Sequence, residues 1–320
     1  MHLLVKKINR VLGSNKICTL TAFLSAGLFL LIFCSYLLAL LVIYPSDSLE
    51  VQWHERLQDW GMNAATTPLS RHGLAYDDVI FLAEDGLQLS AWFIPAVNSE
   101  KAIITFHGGN TDRRSFLDSI EVWHDAGFNV LMPDYRNHGN SETDKAGLSF
   151  GLRESLDGIA SINWLTDNQV INHIGLIGAS LGSATALITA SKTERVGALV
   201  LQSTGYNLAQ LYKNVMPWLP DCFANNSARM MLWLMGVNFK DALSLNYPLL
   251  KASKEISIPV LFVHGSEDQI IKPEEAKFLY NIFKSPKEFW LIDGMGHEMA
   301  TNIEPQNYPL KIVQFFNQHF

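Results

Sequence analysis

The chain opens on a run without a single charged position, residues 17 to 46, from Ile17 to Ser46. As a helix these thirty residues cover about 45 Å, more than the ~30 Å of bilayer hydrocarbon, so the run predicts a membrane-spanning anchor. It is longer than the roughly 7 to 15 residue apolar core of a cleaved signal, and it leaves through bulky Leu41-Val42-Ile43-Tyr44 rather than small residues. Residues 47 to 75 read as a mixed polar connector with helical stretches around Trp53 to Met62. Short apolar runs follow. Val79 to Leu82, then Glu84-Asp85-Gly86, then alternating apolar positions from Leu87 to Ile94 predict a β-hairpin, because Asp-Gly favours a tight turn. Ala102 to Phe106, ended by His107-Gly108-Gly109, and Phe128 to Met132, ended by Pro133-Asp134, read as buried parallel strands. Between them Arg113 to Ala126 predicts a helix closed by Gly127. The rhythm continues with helices over 151–167, 181–191, 274–283 and 309–318 and strands over 174–177, 198–201, 260–263 and 288–292. Such alternation predicts an α/β domain, residues 76 to 320, with a mostly parallel sheet of about eight strands flanked by helices.

One interval is too long for a crossover: residues 204 to 256 imply an insertion. It holds Met216, Trp218, Leu219, Phe223 and the run Met230 to Met235, a mixture suited to an adaptable apolar surface. The reading taken is a helical lid over an apolar pocket. A second small core explains the same residues equally well.

Composition narrows the classes. With 48% hydrophobic and 17% charged residues and three cysteines, disorder and a disulfide-stapled miniprotein are excluded. Lys6, Lys7, Arg10 and Lys16 precede the apolar run with no acid among them, which predicts a cytoplasmic N-terminus, residues 1–16, and an extracytoplasmic domain, periplasmic or luminal. Setting those four cations aside leaves 20 Lys and Arg against 31 acids, a net charge of −11 that excludes nucleic acid as a partner. Only Cys222 lies outside the apolar run, so no disulfide within the chain braces the domain.

The chemistry centres on Gly178-Ala179-Ser180-Leu181-Gly182. In G-x-S-x-G a serine on a tight strand-to-helix turn projects its hydroxyl above the sheet while small neighbours relieve crowding. A second copy, Gly147-Leu148-Ser149-Phe150-Gly151, has no strand before it, and Ser149 is better read as a helix N-cap. A serine hydroxyl needs a base and an acid to orient that base. His297 follows the last strand in Gly294-Met295-Gly296-His297-Glu298, where glycines let the loop fold back over the sheet's carboxyl edge. Asp268, just past the strand Val260 to Val263, is preferred to Glu267 as the orienting acid, and His264 is read as structural. Backbone donors for an oxyanion fall at Leu181 and in His107-Gly108-Gly109-Asn110, where Gly109 is favoured and Asn110 stays open. No H-E-x-x-H, no strand-linked G-x-G-x-x-G and no G-x-x-x-x-G-K-[ST] occurs, so neither metal nor cofactor is expected.

With Glu84-Asp85-Gly86, Ala91 to Pro95, His107-Gly108-Gly109, Asp134 to Ser141, the turn at Ser180, Val263 to Asp268 and Gly296-His297, the chain resembles the α/β-hydrolase-fold serine hydrolases. It is similar to their membrane-anchored Bem46-like group of abhydrolase-domain proteins. The resemblance implies hydrolysis through a Ser180 acyl-enzyme with a Ser180-Asp268-His297 triad and no cofactor. The anchor and the apolar insertion point to a small-molecule or lipid-like acyl ester as substrate. A peptidase or thioesterase on the same triad, or a non-catalytic binding protein on this fold, is the alternative.

Overall fold

Continuous apolar runs make strands that are buried on both faces, and this sheet is built from them. The computed structural model describes residues 2–44, 48–245 and 247–320, without the side chains of 2–22, 48–52 and 54. The cations of residues 1–16 and positions 17–22 and 45–46 of the apolar run therefore lie outside the described side chains. Three helices come first: α1 (His2–Ile43), α2 (Ser48–Asp59) and α3 (Pro68–His72). The hairpin β1 (Asp77–Leu82) and β2 (Gln88–Ile94) leads to β3 (Lys101–Phe106), a 3-10 turn (Arg113–Ser119), α4 (Ile120–Asp125) and β4 (Asn129–Asp134). Then α5 (Glu154–Asn168), β5 (His173–Ala179), α6 (Leu181–Ala190) and β6 (Val196–Gln202) alternate. The insertion follows as α7 (Leu208–Val215), α8 (Asp221–Leu234), α9 (Phe239–Leu243) and α10 (Pro248–Glu255). β7 (Val260–Gly265), α11 (Pro273–Ile282), β8 (Lys287–Ile292), α12 (Ala300–Ile303) and α13 (Asn307–His319) complete the chain.

The eight strands lie in the order β1-β2-β4-β3-β5-β6-β7-β8. β2 pairs antiparallel with β1 and β4, and the pairs from β4 through β8 are parallel. After β3 the chain winds toward β4, then returns to the other side of β3 to lay down β5. The two loops that leave the carboxyl ends of β3 and β5 are thus neighbours, which is where open α/β sheets place their sites. Successive residues feed opposite faces: Ile103 and Val130 join one core layer, Ile104 and Leu131 the other.

Several elements depart from the sequence reading. α5 begins at Glu154 rather than 151, because the Glu154 carboxylate first closes a turn by accepting the Ser149 and Gly151 N–H groups at 2.8 and 2.9 Å. Ser149 is buried in that turn and accepts the Arg153 N–H at 2.7 Å. Residues 47 to 75, expected as a connector, send Trp53, Leu57 and Met62 into the core. Phe23–Ile43 is long and apolar enough to cross a membrane. Its last turns nevertheless pack on the domain: Ser35, Ala39 and Ile43 are buried, and α1 lies along α8.

Candidate active site

Ser180, between β5 and α6, adopts a conformation that side chains avoid, φ 53° and ψ −116°. Its surroundings fix it there. The Ser180 N–H donates to the Gln202 carbonyl at 2.9 Å, and the Ser183 hydroxyl bridges the Gly178 and Gln202 carbonyls at 2.7 and 2.6 Å. Both glycines of the motif are sterically required: a Cβ at Gly178 would stand 2.2 Å from the Gly182 carbonyl oxygen, and one at Gly182 2.0 Å from that of Phe106.

Three distant segments converge on this serine. His297 Nε2 lies 3.0 Å from Ser180 Oγ, and its Nδ1 lies 2.8 Å from Asp268 Oδ2. The carboxylate can only accept, so Nδ1 carries the proton and Nε2 is free to receive one from serine. Asp268 is fully buried, and its other oxygen accepts the Ile270 and Ile271 N–H groups at 3.0 and 2.9 Å. Burial pushes this carboxyl up, but hydrogen bonds from His297 and the backbone at Ile271 outweigh it and hold the pKa below the ordinary carboxylate value. Glu267, the other candidate, is exposed. His264 is buried and holds the Ile271 carbonyl at 2.8 Å, supporting the turn that carries Asp268. The His297 loop is tied down on both sides: Gln202 Nε2 donates to the Glu298 carbonyl at 2.9 Å, and the Glu267 N–H to the Met295 carbonyl at 2.9 Å.

The loop after β3 forms the opposite wall. Tyr135 Oη donates toward the His107 and Gly108 carbonyls at 2.8 and 3.0 Å, which fixes the loop. The Asn110 N–H donates to His138 Nε2 at 3.0 Å, so it is not a free donor. Neither the Gly109 nor the Leu181 N–H has a hydrogen-bond partner among the described residues. The segment Asp134 to Ser141 is fixed by buried charge. Arg113 Nη2 and the Asn140 N–H reach Asp134 Oδ2 at 2.6 and 2.9 Å, and Arg136 pairs with buried Asp157 at 2.7 Å.

His138 is locked neutral. Its Nδ1 donates to the Arg136 carbonyl at 2.9 Å, leaving Nε2 as the acceptor for Asn110. Burial, with the neighbouring His107, lowers its pKa to about 3. The unfolded chain takes up this proton near pH 6.5 and the folded chain does not, so stability is full above that pH and falls as pH drops toward 3. One such group contributes a slope of about 1.4 kcal/mol per pH unit. Urea midpoints measured from pH 7 to 4 are expected to fall with acid, and less steeply for His138→Gln. Parallel slopes for the two proteins would refute this assignment.

A cavity of about 290 Å³ opens beside Ser180, lined by Trp53 and Arg56 of α2, by Trp60 just past its end and by Met299. Trp53 is pinned by its indole N–H to Asp112 at 2.8 Å and meets Trp60 edge-on at 5.3 Å. Among the described residues none between 206 and 256 lines this cavity. Buried residues of the insertion, Ala224, Ala228 and Met231 among them, join the core, where α8 lies along α1. Part of the wall comes from α2 and the turn after it, where Trp53, Leu57 and Trp60 recur at helical spacing, a signal present in the sequence. Gln202 carries no comparable signal. Among the described residues no three His, Cys, Asp or Glu side chains stand close enough to hold a metal ion.

Strand order, placement at the winding reversal and the turn at Ser180 together define the α/β-hydrolase fold. Residues 101–231 match the family model of that fold, and residues 239–305 match that of serine aminopeptidase S33. The chain has the α/β-hydrolase fold and is similar to abhydrolase-domain proteins. The α/β-hydrolase domain-containing protein WAV2 of Arabidopsis thaliana is 28% identical over 218 residues, 66% of this chain and 68% of its own. An uncharacterized membrane protein of Saccharomyces cerevisiae is 26% identical over 220 residues, 68% of this chain and 71% of its own. Among solved structures, an esterase of Pyrococcus furiosus superposes with a TM-score of 0.65 at 25% identity, covering 80% of this chain and 95% of that one.

Proposed function

We propose that the chain is a membrane-anchored serine hydrolase that cleaves carboxylic esters with apolar acyl groups. The observation that carries this reading is the continuous relay from Asp268 through His297 to Ser180, at 2.8 and 3.0 Å. In the proposed reaction Ser180 Oγ attacks the ester carbonyl as its proton passes to His297 Nε2. The oxyanion is received by the Gly109 and Leu181 N–H groups, each worth about 10²-fold or more in rate. The imidazolium then protonates the leaving alcohol, and water, activated by the same nitrogen, releases the acid and restores Ser180. Asp268 stays ionised throughout and balances the charge on His297.

The substrate class rests on the aromatic wall of the cleft and on the apolar helix α1. In this reading α1 spans the membrane once, residues 1–16 are cytoplasmic, and the domain lies on the other side. A peptidase reading is favoured by the match of residues 239–305 to the serine aminopeptidase model. An aminopeptidase needs an acid to hold the substrate's ammonium. Glu298 is the acid among the cavity-lining residues, and Arg56 stands in the same wall.

Treating the folded chain with a fluorophosphonate and mapping the adduct by mass tests the mechanism. The expected adduct is on Ser180, whereas no adduct, or one on Ser149, refutes it. Across p-nitrophenyl esters, kcat/KM is expected to rise about three- to fourfold per buried methylene until the cavity is filled. A preference for acetyl, or faster turnover of aminoacyl arylamides, would overturn the apolar-ester assignment.

A further inference from the structure

Half of the apolar helix is not available as a free tether. From Leu31 to Ile43, about 18 Å of helix, one flank of α1 faces the domain: Ser35, Ala39 and Ile43 are buried, and Leu38 and Val42 pack against the core. The contact is close because small residues meet there, with Ala224, Ser227 and Ala228 buried on α8, the pattern by which helices approach one another inside membranes. Hydrogen bonds fasten it. Tyr212 of α7 donates to the Leu38 carbonyl at 3.1 Å, and the Leu148 N–H donates to the Ile43 carbonyl at 2.9 Å.

Length then decides how deep the domain sits. The uncharged run begins at Ile17, so fourteen residues precede Leu31. They cover about 21 Å of helix, short of the ~30 Å of hydrocarbon that a span must cross. The docked half must supply the rest, and α8 is packed alongside it. The outward flank of that half agrees: Leu41 is 69% exposed, with Leu37 beside it on the same uncovered side. The insertion itself carries large apolar side chains that nothing among the described residues covers: Trp218, Trp233, Phe239 and Leu243. Tryptophan ring and indole N–H together suit the boundary between acyl chains and headgroups. Nearby Lys240, which is exposed, has a stem long enough to reach headgroups from there.

We propose that the insertion helices α8 and α9 are a membrane-contacting face, immersed in the same leaflet as the docked half of α1, with lipid acyl chains covering Trp233 and Phe239. The proposal rests on the reading of α1 as a membrane span. It places the hydrolase domain in the bilayer surface, where α2, starting four residues after Tyr44, brings the cleft wall to the level of the headgroups.

The test uses the full-length chain with Cys18, Cys34 and Cys222 replaced by alanine, in vesicles of phosphatidylcholine and phosphatidylglycerol. Single cysteines are introduced as Phe29→Cys, Trp233→Cys, Phe239→Cys and Val170→Cys and labelled with an environment-sensitive fluorophore. Circular dichroism matched to the parent protein certifies each fold. Val170 precedes β5, at the amino end of that strand, is exposed and serves as the aqueous control. The expected result is quenching by doxyl-labelled lipid at 233 and 239, comparable to that at Phe29, with none at 170. Quenching at 29 but not at 233 and 239 overturns the proposal and leaves the span standing. No quenching at 29 overturns the span, and the proposal with it. Blue-shifted but unquenched labels at 233 and 239 mean that a second copy of the chain covers the face, which also overturns it.

Discussion

Replacing Asp268 with asparagine is expected to lower kcat by about 10⁴-fold with KM little changed. The direction follows from which atom each partner holds. Asp268 Oδ1 accepts two backbone N–H groups, at 3.0 and 2.9 Å, so the amide oxygen of an asparagine takes that place and its NH₂ turns to His297. Nδ1 must then accept instead of donate, and the ring proton moves to Nε2, 3.0 Å from Ser180 Oγ. A protonated Nε2 has no lone pair for the serine proton. Steady-state turnover of a p-nitrophenyl ester, with circular dichroism to verify the fold, measures the effect. Turnover within tenfold of the parent protein would mean that Asp268 does not set the state of His297.

Gly182→Ala is expected to cost about 3 kcal/mol or more and to lower Tm by roughly 5–10 °C. Its Cβ would stand 2.0 Å from the Phe106 carbonyl oxygen and 2.4 Å from that of His107. Both obstacles are backbone atoms of the strand end beside α6, and neither can rotate away. α6 has to withdraw from β3, carrying the Leu181 N–H with it, so activity falls along with stability. Gly109→Ala makes the contrast. Its Cβ meets nothing nearer than the Leu181 side chain at 3.7 Å, and stability should hold. Thermal melts of the two variants side by side decide the matter, and equal melting temperatures would count against it.

The sheet was readable because each buried parallel strand is an unbroken apolar run, and Ile103-Ile104 or Val130-Leu131 must look alike to feed two opposite core layers. The turn at Ser180 was readable for a related reason, since a strand, two glycines and a helix leave little freedom for the residue between them. Asn110 could not be resolved from sequence, because what removes its N–H from play is a histidine ring 28 positions away. The division of the insertion was not legible on the same ground. Only the arrangement in space shows that Met231 and Leu232 are buried in the core beside α1 while Trp218 and Trp233 stay exposed. α2 carried its signal at helical spacing, but the polar residues between Trp53 and Trp60 disguised it as a connector.

The route of the chain around the sheet bears on how the protein can be handled. Ala39 and Ile43 join the core layer on one face, Trp53 and Leu57 the layer on the other. A trimmed form starting at α2, the obvious choice for a water-soluble preparation, would strip the buried side chains of Ser35, Ala39 and Ile43 and open a furrow along Ala224, Ala228 and Met231. It would also take the acceptors of Tyr212 and Leu148. What looks like a disposable leader is, from Leu31 onward, part of the folded body.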